Sequence, residues 1–286
     1  LCIAMLINFV TVMPISVLAE TATENQPVTR EATDYTIFSG NENEPFQLYG
    51  WKGNFNGNFY SSSNFICGLS EFFVDGRIDS VGSISTSGWM TNIGERNENV
   101  DVISMPDWDE KIHKAAGDYE IIDDNPAYIE DTTVISNGIK TSGDVTIGST
   151  YFDGFCYIIA DGNIVYNVND FQSTGRIVLY SRNGNITING SNIDFGGIIY
   201  APNGTVAFNS NIAEINGRIF ADKINFSGSI FNVTGKLSDW DLLKPKYISK
   251  KCTQTTKEPS FLRVLSLFYS VLVLFWCLLL CEVRGR

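Results

Sequence analysis

The chain has 286 residues, with 32 acidic side chains against 20 basic ones and a formal net charge of -12 at pH 7. Binding nucleic acid needs clustered positive charge, so this balance excludes it as a partner. One histidine, and six cysteines with no CxxC pair, exclude a multi-histidine metal site and a zinc knuckle.

In chain order, residues 1–19 are uncharged and mostly apolar and end in Ser16-Val17-Leu18-Ala19, which predicts part of a signal peptide with a small-residue cleavage site. Residues 20–34 are polar, Thr-rich and aperiodic, as expected of a flexible leader. An all-β domain, a parallel β-solenoid, is expected over 35–243. Its first coils show in Phe55-Asn56-Gly57-Asn58-Phe59-Tyr60-Ser61 and Val74-Asp75-Gly76-Arg77-Ile78-Asp79-Ser80, which share one pattern of apolar, Gly and small residues. Trp51 and Trp89 fall near the ends of these coils.

Residues 95–131 break the pattern and are expected as an insertion laid along the side of the solenoid. Within it, Asp107 to Ala116 has Pro106 before it, acids in its first turn, bases in its last and Gly117 after it, which predicts a short helix. Trp108, Ile112 and Ala115 share the face that would pack down. Coils resume at Thr133, and Ile158-Ile159-Ala160-Asp161-Gly162-Asn163-Ile164 restores the phrase.

The repeat is clearest over 175–235. Leu179-Tyr180-Ser181-Arg182-Asn183-Gly184-Asn185-Ile186 returns as Ile199-Tyr200-Ala201-Pro202-Asn203-Gly204-Thr205-Val206, and again as Ile219-Phe220-Ala221-Asp222-Lys223-Ile224 with a shorter turn. A period near twenty built from short alternating runs marks a solenoid, because one coil is too thin to bury its own apolar strip. Stacking would file Leu179, Ile199 and Ile219 together, with Ser181, Ala201 and Ala221 in a second inward column and Ile186, Val206 and Ile224 in a third. The Asn-Gly pairs 183–184 and 203–204 suit turns with positive φ. About six or more coils are expected.

After 243 the character changes. A basic linker is expected over 244–260, a transmembrane helix over 261–281 and a cytoplasmic tail over 282–286. The unbroken apolar run Val264–Cys281 would span about 27 Å as a helix. Terminal hydrophobic helices would thus make this an exported, membrane-anchored protein of the cell surface, and Cys67 and Cys156 are expected as buried free thiols.

The phrases Gly-Gly-Ile-Ile-Tyr-Ala-Pro-Asn-Gly-Thr-Val at 196–206 and Asn-Gly-Arg-Ile-Phe-Ala-Asp-Lys-Ile at 216–224 resemble the Asn/Gly-rich β-solenoid domains of bacterial exported and cell-surface proteins. More distantly they resemble the polymer-forming bactofilins and pilus-associated surface proteins. The resemblance implies a surface or scaffold role, with no agreed catalytic residues to carry over.

Two outward files are candidate sites. Tyr180, Tyr200 and Phe220 would stack at one-coil intervals, as a platform for sugar rings or a partner's apolar surface, unless the inserted segment covers them. Asp194 and Glu214 also align across coils, where paired carboxylates could bind calcium or serve acid/base hydrolysis, or form a solvated acidic stripe. His113, alone, cannot supply a triad. The reading is a non-catalytic surface structural or adhesive module that shows a side face to a cell-surface glycan or protein. The alternatives are a polysaccharide-active lyase or hydrolase, and a self-assembling bactofilin-like scaffold.

Overall fold

The computed structural model describes residues 30–118, 120–129, 134–135, 138–148, 151–152, 155–167, 170–172 and 176–244. The expected signal peptide, most of the leader, and the linker, transmembrane helix and tail after 244 lie outside the described residues. No helix among the described residues is long and apolar enough to cross a membrane.

The described chain is a parallel β-solenoid of about nine turns with three flat sides. Sheet I stacks Glu120–Ile122, Gly138–Thr141, Phe155–Ala160 and Arg176–Ser181, then two stretches of the long strand Ile186–Ser227, around 197–201 and 217–221. Next come Ile37–Ser39, Phe59–Ser61 and the ends of Phe65–Ser80 and Met90–Glu98. Sheet II carries Ala127–Ile129, Val145–Ile147, Ile164–Asn167 and 186–189 at one end. At the other end it pairs Phe226 with Leu48, Leu48 with Cys67 and Cys67 with Thr86. Sheet III runs through 170–172, 192–194, 212–216, Ile230–Thr234, 52–56, 71–75 and 90–93.

The coils do not stack in chain order. Strand Ile230–Thr234 pairs with 212–216 on one side and with 52–56 on the other. The N-terminal coils therefore sit on the last C-terminal one, and residues 99–118 carry the chain back along the stack.

Inward files follow the expected register: Leu179 pairs with Ile199, Ile37 with Ile219 and Ile164 with Ile186. All nine residues of the three expected columns are buried. Small residues recur at the corner between sheets I and II, where the Ser181 hydroxyl donates to the Gly162 carbonyl at 2.7 Å and Ser80 does the same to Ser63 at 2.6 Å. Burial of these hydroxyls costs little because each is bonded. Cys67 and Cys156 lie in this core without a disulfide, and burial pushes the Cys67 thiol up to about 11.

Four expectations change. Gly184 and Gly204 do not have positive φ; a Cβ there would instead overlap the backbone of Gly162 and Gly184 in the adjacent coil. Positive φ falls at Gly57, Gly76 and Gly197, where sheet III turns into sheet I. The insertion is shorter than 95–131, since 95–98 belongs to the last level and 120–122 and 127–129 to the first. End levels cover the core from one side only, so their inward places tolerate polar residues and the repeat becomes hard to see. Residues 30–34, expected to be flexible, include the 3-10 turn Ala32–Asp34, with Arg30 3.3 Å from the buried Asp79 carboxylate. Residues 236–243, expected as part of the solenoid domain, form the 3-10 helix Leu237–Leu243 against the outer side of sheet I.

Candidate functional site

The outer side of sheet I is a second hydrophobic core. Tyr180, Tyr200 and Phe220 do stack in one file, with Tyr180 and Tyr200 5.2 Å apart, and Phe220 continues to Phe38 at 5.5 Å and Phe38 to Tyr60 at 4.5 Å. Yet the three are 2%, 2% and 0% exposed. The return segment and its helix α1 (Asp109–Ala116) lie on top of them. Trp108 packs 4.5 Å from Phe220 and 5.1 Å from Tyr200, and also meets Trp240 of the C-terminal turn at 5.2 Å. The Tyr60 hydroxyl accepts the Ile103 N–H at 2.7 Å, and the Tyr200 hydroxyl donates to the Pro106 carbonyl. An open ligand platform on Tyr180, Tyr200 and Phe220 is thus corrected: the file is the seat of a strap.

The strap is fastened by charge as well. Asp109 accepts from the Tyr180 hydroxyl at 2.7 Å and from Arg182 at 2.8 Å, and Arg182 also reaches Asp161 at 3.0 Å. Burial alone would raise the Asp109 carboxyl, but the bonds from Arg182 and Tyr180 hold it below the usual carboxylate range. His113, on the same helix, sits 3.5 Å from this carboxylate, and burial lowers its pKa. At the other end, buried Asp239 pairs with Arg176 and lies 3.7 Å from Arg218, whose guanidinium stacks 4.4 Å from the Trp240 ring.

Asp194 and Glu214 occupy one outward file of sheet III and both are exposed. The file continues from these acids to Asn232 and Asn54. Asn232 donates its amide to Glu214, and Asn54 donates to Asn232 at 2.7 Å. The acids therefore head an amide ladder on a flat surface. No group of three or more His, Cys, Asp or Glu side chains that could hold a metal occurs among the described residues.

A cluster of exposed aromatics lies at the corner between sheets II and III in the N-terminal coils; Tyr128 and Phe155 are exposed singly at the other end. Tyr49, Trp51, Trp89 and Met90 are 52%, 55%, 65% and 42% exposed. Leu69 is level with Gly50, and Glu71 with Lys52 and Met90, so Trp51, Ser70 and Trp89 share one file. Trp51 and Trp89 are two levels apart, about 9.6 Å at the usual strand spacing, with a serine between them. The backbone at Trp51 is held firmly. The N–H groups of Trp51 and Lys52 both donate to the Ser229 carbonyl, at 3.1 and 2.9 Å, and Gly50 lets the corner close on Gly228. Gly68 leaves room for the Tyr49 ring, which lies over it, 2.6 Å from where a Cβ would stand. Lys52 pairs with Glu71 at 3.1 Å, so the surrounding charge is balanced. The spacing of 38 residues between Trp51 and Trp89, two periods of nineteen, was the signal that could have assigned them to one file.

No protein-family model, no curated protein and no solved structure matches the chain.

Proposed function

We propose that the protein is a non-catalytic display module, exported and held at the cell surface through residues 261–281, that meets a glycan or protein partner with one rigid corner. The carrying observation is the set of exposed aromatics Tyr49 and Trp51, on the strand Phe46–Asn56, and Trp89, in the bend just before the strand Met90–Glu98, whose pairings set the levels at which they stand. A mounted ring loses little freedom when it binds, so its apolar area converts well into affinity. The acidic pair Asp194 and Glu214 stands in an amide ladder rather than around a cleft, which favours the passive reading over a lyase or hydrolase. The self-assembling scaffold is disfavoured by the end levels. In the last one, Arg96 stands in the inward file of Ile78, and Arg96 and Glu98 bond the carbonyl and N–H of Ile84 at 2.9 and 2.8 Å. Inward charge at a coil end blocks the addition of another coil.

The test is adsorption of the full chain to arrays of glycans and of extracellular proteins, compared with a Tyr49→Ala, Trp51→Ala, Trp89→Ala variant of unchanged melting temperature. The reading expects binding by the parent and its loss in the variant. Equal binding by both, or release of new reducing or unsaturated ends from a bound polysaccharide, contradicts it.

A further inference from the structure

Resting on that reading, we infer that Trp51 and Trp89 are two stacking sites for a single extended, neutral, β-1,4-linked polysaccharide chain lying parallel to the solenoid axis. Three observations converge on this ligand. The first is spacing. By the flanking pairs Trp51 and Trp89 stand at the same register position two levels apart, a backbone separation of about 9.6 Å. In a β-1,4-linked chain each ring is turned over relative to the last, so the same ring face returns at every second unit. That two-unit repeat is close to two strand spacings. A linkage that curls the chain does not keep the match.

The second is the place between them. Ser70 stands level with the gap and is small, which leaves room for the intervening unit and offers it a hydroxyl. Around the file, Gln47, Ser85 and Ser87 are exposed on the sheet II side and Asn54 lies on the sheet III side. These groups are neutral donors and acceptors of the kind that equatorial hydroxyls use. The third is charge. The ionic groups beside the file, Lys52 and Glu71, are spent on one another at 3.1 Å. A neutral patch on a chain of net charge -12 selects against anionic polymers, which the whole molecule repels, and offers a cationic one no free carboxylate at this corner. It also lacks the basic cluster that a membrane surface calls for.

Tryptophan fluorescence and calorimetry on the full chain, titrated with cellohexaose and chitohexaose, test the inference, with maltohexaose and cellobiose as comparators. The β-1,4 hexaoses should bind, while maltohexaose, which curls, and cellobiose, too short to reach both rings, should bind at least about tenfold more weakly. Trp51→Ala and Trp89→Ala should each weaken hexaose binding about tenfold, the share of one stacked ring. Ser70→Trp, which keeps both indoles but fills the gap, should abolish it. Equal binding of maltohexaose, or of Ser70→Trp, overturns the inference. Trp-dependent binding of another glycan or of a protein, with none of the β-1,4 hexaoses, overturns the ligand class but leaves the corner as the contact surface. If nothing bound depends on Trp51 or Trp89, both readings fall.

Discussion

At the corner between sheets I and II, a single side-chain oxygen per coil holds the next coil in register. Asp144 N–H donates to Asn125 at 3.2 Å, Asn163 N–H to Asp144 at 2.6 Å, Asn185 N–H to Asn163 at 2.8 Å and Thr205 N–H to Asn185 at 2.8 Å. This ladder gives the recurring Asn its physical reason: a corner N–H has no strand partner and must find an acceptor. Asn185→Ala should leave the Thr205 N–H without its acceptor and cost about 1 kcal/mol, measured by denaturant melting. No change would mean that the corner is held by its neighbours alone. Gly197 makes a sharper case, because it has φ 138° and a Cβ there would overlap the Ile177 carbonyl. Gly197→Ala should cost at least about 2 kcal/mol by the same measurement, and a loss of a few tenths would contradict the close approach of these coils. At this scale the sequence was legible for inward files and less so for glycines. The Asn-Gly pairs look like ordinary turns, whereas their glycines are needed because one coil's backbone lies against the next.

Among the elements, the strap decides what the surface of sheet I can do. Trp108→Ala removes a buried indole that touches Tyr200, Phe220 and Trp240 and should cost about 3–5 kcal/mol. It should also uncover the aromatic file, read as new binding of an apolar dye; an unchanged melt without dye binding would contradict the packing. Asp109 ties the strap to Arg182 with its folded pKa held below the ordinary value of 3.8. A carboxyl depressed in the fold contributes stability above its unfolded pKa and loses it as pH falls through the lower folded value. The stability gap between the parent and Asp109→Asn should therefore be present at pH 7 and close below about pH 4. A gap that is the same at pH 7 and pH 3 would remove Asp109 from the fastening. The helix itself was readable from Pro106, Gly117 and its charge order, and Trp108, Ile112 and Ala115 pack down as expected. The cover over Tyr180, Tyr200 and Phe220 had a signal too. Ile177-Val178-Leu179-Tyr180 and Ile198-Ile199-Tyr200 are unbroken apolar runs, the pattern of strands buried on both faces, whereas Ile186-Thr187-Ile188-Asn189 alternates as a strand with one wet face does.

For the whole molecule, the order of the coils was the part the sequence hid. Every coil offers its neighbours similar apolar files, so local pattern says that coils stack without saying which lies on which. What settles the order is the ends, where charge replaces the file: Glu120 stands level with Ile139 in the first level, and Arg96 level with Ile78 in the last. Replacing both cap residues, Arg96→Ile with Glu98→Val, should give concentration-dependent end-to-end association in sedimentation velocity. A variant that sediments as the parent does would show that these charges do not guard the end. The seating of the N-terminal coils on the C-terminal one defines the molecule. Asn54 and Asn232 face each other across that junction, whereas Asn97 and Ile121 stand at opposite ends of sheet I, on the order of 43 Å apart across nine strand spacings. Mild oxidation of the full chain carrying Asn54→Cys and Asn232→Cys should give an intramolecular disulfide between those positions, mapped by mass spectrometry, and Asn97→Cys with Ile121→Cys should give none. A 97–121 bridge without a 54–232 bridge would mean that the coils climb in chain order, and the dovetailed solenoid would be wrong.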